Sequence, residues 1–214
     1  MPGEVPDIIR LYRLIHYQNL PHILEHGLYT RKSPHFDPNY VEIGDSDLIR
    51  KRTEYPIKIS GYGNVGDYIP FYFGTLSPML LNIISGHRGI KKLPQEDIIY
   101  LRTTLDQIEA CQCTYVFTDG HAKKELTQFY TDKADLDKVD WNIVYRKVWK
   151  NTADDRDRMR RKQAEFLVKD HVPLQCITHI ITYTEDKAEW VKQEVNKYGL
   201  EIEVLVNPNE MFYY

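Results

Sequence analysis

One carboxylate in this sequence lies where an enzyme would need a charge-stabilising group. Glu165 separates a dense cationic run at 156–162 from the apolar residues Phe166, Leu167 and Val168, which have strand character. A fixed carboxylate at the start of a strand can stabilise a positive charge that develops in a transition state, and cations beside it can bind a polyanion. We interpret the stretch as part of an enzyme site. The alternative is a helix with a solvated basic face, on which Glu165 is an ordinary surface acid.

Size and composition indicate one globular domain. The 214 residues are enough for a sizeable core, and the contents of 42% hydrophobic and 28% charged residues are typical of soluble proteins. The net charge of −3 argues against a general basic coat for nucleic acid. Cations nevertheless concentrate at 156–162 and at 50–52, which favours a local anion-binding groove. We predict a single domain over residues 1–214.

Cysteine and targeting patterns predict a cytoplasmic protein. Cys111, Cys113 and Cys176 are too few and too irregularly spaced for a disulfide framework or a zinc site. The N-terminus has no basic stretch followed by an apolar one, as a secretory signal would. No apolar run approaches the roughly 18 residues of a membrane-spanning helix. We therefore expect no membrane contact.

Periodicity and turn residues predict an α+β fold, with a central β-sheet and short peripheral helices. Strands are predicted at 11–15, 68–73, 97–102, 114–118, 164–168, 176–182 and 201–206, and helices at 19–24, 79–85, 104–110 and 185–197. The polar stretch 123–163 has a loose helical stripe. Residues 29–66 are irregular apart from a short amphipathic segment at 46–52. An irregular segment of this length usually has a function, and we interpret it as a loop that covers a substrate.

The sequence lacks the usual nucleotide-binding loops. No G-x-G-x-x-G follows a strand, and there is no Walker A motif. The glycines at 61, 63 and 66 are interpreted as a turn. A nucleotide would therefore be held by strand edges, aromatic stacking and loop closure. His22 and His26 share a helix face but lack a third ligand, so we predict no metal site.

Five segments occur in the order found in one enzyme family. They are LYRLIHYQNL at 11–20, IGDSDLIRKR at 43–52, DYIPFYF at 67–73 with SPML at 77–80, FTDGH at 117–121 and KQAEFLV at 162–168. Together they resemble the DarT family, toxins that ADP-ribosylate single-stranded DNA. The resemblance spans nearly the whole chain and implies an ADP-ribosyltransferase-like fold with a central split sheet, and NAD as a substrate. Residues 13–15 are Arg-Leu-Ile, where relatives often have His-x-Thr.

The resemblance also implies roles for individual residues. Glu165 matches the catalytic glutamate, which would stabilise an oxocarbenium-like ribose once nicotinamide leaves. Arg52 matches an arginine of the family's NAD-binding element and is suited to binding the pyrophosphate. In the family this arginine is also proposed to help remove the proton from the acceptor base. His121 and a water molecule are alternative acceptors of that proton. The further NAD-binding residues are Arg13, Leu14, Ile15, His16, Asn19 and His22, and the predicted DNA-binding residues are His121, Tyr72, Arg156, Arg158, Arg160 and Arg161.

The predicted function is transfer of ADP-ribose from NAD to a base, thymine by resemblance, in single-stranded DNA in a sequence-dependent way. The family implies a cognate antitoxin with ADP-ribosyl-hydrolase activity. ADP-ribosylation of protein or RNA is one alternative. A non-catalytic nucleic-acid-binding module that uses the cations at 156–162 is another, and it predicts salt-sensitive binding without nicotinamide release.

Overall fold

A computed structural model describes residues 3–213, except for the side chain of Arg88. The strands are β1 Arg10–His16, β2 Leu28–Tyr29, β3 Tyr68–Tyr72, β4 Ile98–Thr104, β5 Tyr115–Thr118, β6 Phe129–Tyr130, β7 Glu165–Lys169, β8 His171–Val172, β9 His179–Thr182 and β10 Glu203–Val206. The α-helices are α1 Leu20–His26, α2 Ser46–Thr53, α3 Pro78–Ser85, α4 Leu105–Ala110, α5 Trp141–Val144, α6 Arg158–Lys162, α7 Glu185–Lys197 and α8 Pro208–Met211. Short 3-10 helices occur at Tyr17–Asn19, Val65–Asp67, His87–Gly89, Gln95–Asp97, Lys133–Lys138 and Leu174–Cys176.

A central sheet organises these elements. Its strand order is β10-β9-β4-β1-β3-β7-β5-β6, and a separate two-stranded sheet joins β2 and β8. Neighbouring strands run antiparallel except β9 and β10. Strand β1 pairs with β4 along its whole length, whereas within residues 3–213 it meets β3 at one register position, Tyr12 opposite Tyr72. The sheet therefore opens between β1 and β3, and the prediction of an α+β fold with a split central sheet is confirmed.

Apolar side chains cover both faces of the sheet. On one face, Leu11 and Phe166 belong to a large buried cluster with Ile23 of α1 and Val191 of α7. On the other face, Leu14 and Tyr100 pack with Leu80 of α3 and the C-terminal Met211. A third cluster around Leu167 lies beyond β3. Each large side chain that is fully buried contributes about 1.5–3 kcal/mol relative to leaving it exposed. The resulting platform is rigid on both sides of the split.

Several helices begin and end at the residues that the sequence indicates. The hydroxyl of Thr184 accepts a hydrogen bond from Lys187 N at the start of α7, which spans the predicted residues. Ser77 caps α3 in the same way, and Pro78 occupies its first turn. Gly27 ends α1 with φ +82°, a conformation that favours glycine.

The helical prediction for 123–163 is largely wrong. This stretch contains only β6, a 3-10 helix and the short helices α5 and α6, joined by irregular chain. The apolar side chains of Leu136, Val139 and Trp141 are buried in the main core, but from short turns rather than from one helix face. Asp132 and Asp140 accept backbone hydrogen bonds that begin new turns at each point. Competing side-chain caps therefore break what would otherwise be one helix.

Two smaller expectations also change. The cysteines were predicted not to form a disulfide framework, but Cys111 and Cys176 form one disulfide, which joins the end of α4 to the turn before β9. That turn is a 3-10 helix at Leu174–Cys176, so β9 begins later than predicted. No helix within residues 3–213 is long and apolar enough to cross a membrane.

Candidate active site

Glu165 lies at the start of β7, directly across the strand pair from Tyr72 of β3. Its side chain is 0% exposed, so it is not the surface acid of the alternative interpretation. The Glu165 N–H donates to Thr118 Oγ1 at 3.0 Å, and that hydroxyl donates to Gly120 O at 2.6 Å. These bonds fix the first residue of β7 against the end of β5. The carboxyl group is thus positioned by two strands rather than by a loop.

Arg52 is the partner of this buried acid. From the last turn of α2 it donates Nη1 to Glu165 Oε1 at 3.0 Å and Nη2 to Oε2 at 2.5 Å, and its side chain is 14% exposed. The backbone N–H of Ala122 also donates to Oε1, at 2.9 Å. A planar guanidinium that meets both carboxylate oxygens fixes the orientation of the acid. The arginine and glutamate that the sequence assigns to catalysis therefore form one unit.

Electrostatics keep Glu165 ionised. Burial raises the pKa of the Glu165 carboxyl, but the charge of Arg52, the neighbouring His121 and the hydrogen bonds from Arg52 and Ala122 N lower it by more, so the net shift is downward. The group is therefore a carboxylate at neutral pH, although it is out of contact with water. A buried, oriented anion of this kind suits the stabilisation of a nearby cationic intermediate.

The position of α2 depends on the glycine-rich turn that precedes β3. Asp45 accepts a hydrogen bond from Leu48 N at 2.9 Å and begins the helix. Gly66 lies so close to the Thr53 backbone that a Cβ there would clash. Gly61 and Gly63 have positive φ values of 85° and 71°. The motif is thus a turn that packs against the end of α2.

His121 lies beside the ion pair. Its Nδ1 is 3.8 Å from Glu165 Oε1 and accepts a hydrogen bond from Lys123 N at 3.2 Å. Burial lowers the pKa of His121 and Glu165 raises it, with a net downward shift. The ring is therefore neutral at pH 7, with its proton on Nε2. In this arrangement His121 offers a donor rather than a free basic nitrogen.

Tyr72 borders the split on the other side of Glu165. Its ring is half-buried, and its Oη donates to Met79 Sδ at 3.7 Å. Burial raises the Tyr72 pKa, and the charge of Glu165 raises it further, while Arg52 and Arg13 lower it. The phenol is therefore neutral and can present its ring to a planar group.

The predicted NAD-binding residues have different environments. Leu14 and Ile15 are core residues, so a contact with a ligand would come from their backbone rather than from their side chains. Their peptide groups lie in β1 beyond Tyr12, on the edge that faces the split. His16 is buried, and its Nδ1 accepts a hydrogen bond from Gln18 N at 3.3 Å. Arg13 donates Nη1 to Pro70 O across the opening, at 2.9 Å.

Arg13 also borders a small cavity at the end of the split. The cavity is lined by side chains that include Arg13, His22, Tyr29, His35, Phe36 and Tyr40. The Arg13 Nε is buried and, within residues 3–213, is a donor without a hydrogen-bond partner. Buried donors are almost always satisfied in folded proteins, so this nitrogen is well placed for a polar ligand atom.

Asn19 and His22 hold the segment that covers this cavity. Asn19 Nδ2 donates to Val41 O at 2.9 Å, and Val41 N donates to Asn19 Oδ1 at 2.8 Å. His22 Nε2 donates to His35 O at 3.1 Å. The expectation that 29–66 covers a substrate is consistent with these attachments. Asn19 thus anchors the covering segment, and His22 both anchors it and lines the cavity.

The basic run at 156–162 is mostly neutralised within the protein. Arg160 pairs with Asp119 and Asp157, Arg161 with Asp140, Asp155 and Asp157, and Arg158 with Asp155. Lys162 is buried and donates to Val144 O at 2.6 Å, and burial lowers its pKa to about 7. Three of the four arginines predicted to bind DNA phosphates are therefore occupied, which corrects that prediction. Arg156 is exposed and has no ion pair among the described residues.

Arg160 instead braces the loop that carries His121 and Ala122. It donates Nη1 to Asp119 Oδ1 at 2.9 Å and to Thr127 Oγ1 at 3.2 Å, and its carbonyl accepts from His121 N at 3.0 Å. A Cβ on Gly120 would clash with this guanidinium. The sequence offers no signal for this role, since the two ends of each contact are far apart in the chain.

We predict that Arg160→Ala lowers the free energy of unfolding by about 1.5–3 kcal/mol, because it removes hydrogen bonds between charged groups. Arg156→Ala, an equal truncation of an exposed and unpaired arginine, should change it by less than about 0.5 kcal/mol. Urea unfolding of both variants measures the difference. Equal stabilities would contradict the bracing role.

The described part of the chain contains no arrangement of side chains suited to binding a metal ion. The rings of His22 and His26 are 4.5 Å apart, but no group of three or more histidine, cysteine or acidic side chains among residues 3–213 is arranged to hold an ion.

Comparisons with known proteins agree with this geometry. The family described as "ssDNA thymidine ADP-ribosyltransferase, DarT" matches residues 12–213 of the chain. A DNA ADP-ribosyl transferase of Escherichia coli O127:H6 (strain E2348/69 / EPEC) is 38% identical over 181 residues, which cover 85% of this chain and 83% of that protein.

Solved structures give the same result. The structure of Thermus sp. 2.9 DarT in complex with ADP-ribosylated ssDNA matches with a TM-score of 0.90 and 25% identity, and covers 100% of both chains. The same protein in complex with NAD+ matches with a TM-score of 0.83 and 26% identity, over 98% of this chain and 100% of that one. A DNA ADP-ribosyl transferase-DNA ADP-ribosyl glycohydrolase fusion protein of Thermosipho africanus is 24% identical over 97% of this chain and 50% of its own length. The predicted ADP-ribosyltransferase-like fold is confirmed.

Proposed function

The chain belongs to the DarT family of single-stranded DNA thymidine ADP-ribosyltransferases, and we propose that Glu165 and Arg52 together carry out its transfer reaction. The enzyme uses NAD+ as a substrate and modifies single-stranded DNA. The observation that supports these residue roles most strongly is the buried carboxylate of Glu165, held ionised by Arg52 and Ala122 N. Glu165 provides the negative charge, and Arg52 fixes the orientation of the Glu165 carboxylate.

At ribose C1′ one bond breaks and one bond forms, and the acceptor base loses one proton. The bond between ribose C1′ and the nicotinamide nitrogen breaks, and its electron pair leaves with nicotinamide. The ribose becomes oxocarbenium-like, and the carboxylate of Glu165 stabilises this cation more than it stabilises bound NAD+. Thymine N3 then forms the new bond to C1′ and loses its proton. We assign that proton to a water, since His121 Nδ1 already accepts a hydrogen bond from Lys123 N.

NAD+ would occupy the split between β1 and β3. We propose that Arg13 donates its unpartnered Nε to the dinucleotide, and that the peptide groups of 14–16 contribute from the edge of β1. Arg52 uses two of its N–H donors for Glu165, which leaves others for the pyrophosphate. Asn19 and His22 act by holding the covering segment over the ligand.

We predict that Asn19→Ala raises the KM for NAD+ about tenfold, because two hydrogen bonds that anchor the cover are lost. Asn39→Ala is a matched control: Asn39 is exposed in the same segment, and among residues 3–213 its side chain makes no hydrogen bond. Steady-state kinetics at saturating DNA measures both. An unchanged KM in Asn19→Ala would contradict the anchoring role.

The acceptor strand would approach from the side of His121 and Tyr72. We propose that Tyr72 stacks on a base and that His121 donates Nε2–H to it, while the exposed Arg156 contacts a phosphate. The protein acts as a toxin, with a cognate antitoxin that hydrolyses the ADP-ribosyl bond, and it works as one domain in the cytoplasm. Residues 1, 2 and 214 of that domain lie outside the described residues.

Mass spectrometry tests the activity directly. The protein is incubated with NAD+ and a thymine-containing oligonucleotide, and the expected product is the oligonucleotide with one added ADP-ribose on a thymine. Parallel incubations with RNA and with protein examine the alternative acceptors. Modification of RNA or protein alone would overturn the DNA substrate, and DNA binding without nicotinamide release would favour a non-catalytic module.

A further inference from the structure

Six side chains form a row that crosses the sheet from the candidate catalytic acid to the opposite edge. Paired positions in neighbouring strands define this cross-strand row: Glu165, Tyr72, Tyr12, Arg102, His179 and Glu203. Residues at paired positions project from the same face of a sheet. Arg10 lies two residues before Tyr12 in β1 and therefore shares this face. The proposed site and two arginines thus belong to one continuous surface.

The two arginines differ from those of the basic run. Within residues 3–213, neither the Arg10 nor the Arg102 guanidinium makes an ion pair or a side-chain hydrogen bond, whereas Arg158, Arg160 and Arg161 are all paired with aspartates. The nearest acid of the row, Glu203, pairs instead with His179 at 2.9 Å. Burial lowers the pKa of Arg102 and the charge of Arg10 lowers it too, while Tyr12 and Glu203 raise it, and the net shift is downward. Two neighbouring cations without a direct ion pair are complementary to an anion.

Tyrosine rings accompany these cations. Tyr12 packs edge-on against Tyr100 with its ring half-buried, and Tyr145, from the loop after α5, is 51% exposed. Burial raises the Tyr145 pKa to about 12, an effect that Tyr12 increases and the charge of Arg10 opposes. Aromatic rings beside unpaired cations are the arrangement by which proteins bind single strands.

We infer that Arg10 and Arg102 bind the phosphate backbone of the substrate strand at a subsite separate from the acceptor base, with Tyr12 and Tyr145 beside them as stacking surfaces. This subsite rests on the proposed function. Arg102 is three strands from Glu165, a distance of about 14 Å between their backbones. The strand would therefore follow the cross-strand row from the reacting base, and the arginines would contact a phosphate a few nucleotides away. This subsite replaces the phosphate contacts first assigned to 158–161.

Kinetics with oligonucleotides of several lengths tests the subsite. In Arg10→Gln/Arg102→Gln, the KM for a long single strand should rise about tenfold, while the KM for NAD+ is unchanged. The slope of log KM for DNA against log salt concentration should become shallower by about 1, since roughly 0.7 of a counterion is released for each phosphate contact in a single strand. Arg102→Lys keeps the charge and should restore most of the affinity. Lys192→Gln, on α7 at the other face of the sheet, is the control for loss of one positive charge and is compared with Arg10→Gln alone.

An uncharged-linkage scan identifies the phosphate itself. Replacing phosphates one at a time with methylphosphonates should weaken binding to the wild type at one position beyond the acceptor, and that effect should vanish in the double variant. Equal KM values and salt slopes in an active wild type and double variant would overturn the subsite while leaving the proposed function intact. Loss of antitoxin binding with unchanged DNA kinetics would overturn it too. If Arg102→Gln fails to fold, the same kinetics on Arg10→Gln alone test the subsite, because the Arg10 side chain is exposed and its replacement should not affect folding.

Discussion

Glu165→Gln is expected to lower kcat for ADP-ribosyl transfer about 10²–10³-fold, with NAD+ still bound. The amide keeps the shape of the side chain, and its oxygen can still accept the hydrogen bond from Ala122 N. It lacks the negative charge that would stabilise the developing oxocarbenium ion. The loss should therefore appear in kcat rather than in the KM for NAD+. Single-turnover transfer to an oligonucleotide, combined with calorimetric titration of NAD+, separates the two.

Glu194→Gln provides a matched control for this variant. Glu194 is also nearly buried and paired with a cation, Lys197 at 2.6 Å, but it lies on α7 at the opposite face of the sheet. Its amide variant should transfer ADP-ribose at the wild-type rate. Full turnover in Glu165→Gln would remove this residue from the mechanism, and equal losses in both variants would indicate a general effect of removing a buried charge.

Arg52→Ala is expected to lower the free energy of unfolding at pH 7 by about 3–5 kcal/mol, because it leaves the fully buried Glu165 without its cation. The same variant should lose most of its activity, since the carboxylate is no longer oriented. Arg50→Ala, on the same helix, removes an exposed pair with Asp47 and should change stability by less than about 1 kcal/mol. Urea unfolding of the two variants provides the comparison.

The effect of Arg52→Ala should also depend on pH. In the wild type the Glu165 pKa is lowered, so its contribution to stability is present above the unfolded pKa of about 4.3 and is lost as the pH falls through the lower folded value. Without Arg52, burial dominates and the folded pKa is expected to rise above the unfolded one. The variant is then penalised increasingly as the pH rises above about 4.3. Its deficit should be smaller at pH 5 than at pH 7, and an equal deficit at both would contradict this account.

Local signals in the sequence were sufficient for much of the fold. α7 was predicted over its observed residues from its amphipathic period and the glycine that follows it, and the structure adds a cap by Thr184. The strand that begins at Glu165 was predicted from its apolar run. Residues 123–163 were mispredicted because Trp141 and Val144 are buried by the rest of the domain, and short aspartate caps interrupt any helix that their spacing suggests. Tertiary contacts outweigh propensity there.

The site was predictable in its residue types but not in its pairings. Glu165 could be identified from the charges beside it and from the family resemblance. Its bond to Arg52 spans 113 positions, which no spacing rule reveals. The arginines at 158–161 were interpreted as a phosphate groove because the sequence does not show that Asp119 and Asp140 fold back onto them. The hydrogen bond from Ala122 N to Glu165 could not be predicted from residue types, because its donor is a backbone group.

The long loop closed by the bond between Arg52 and Glu165 has a consequence for synthesis of the protein. A ribosome adds roughly 5–20 residues per second, so several seconds separate the emergence of the guanidinium from that of the acid. During that interval the nascent chain holds half of an ion pair and lacks β7, β9 and β10 of the central sheet. The ion pair of the proposed site can therefore form only after Glu165 has been added to the chain, and the closure of this loop sets the earliest point at which the site is complete.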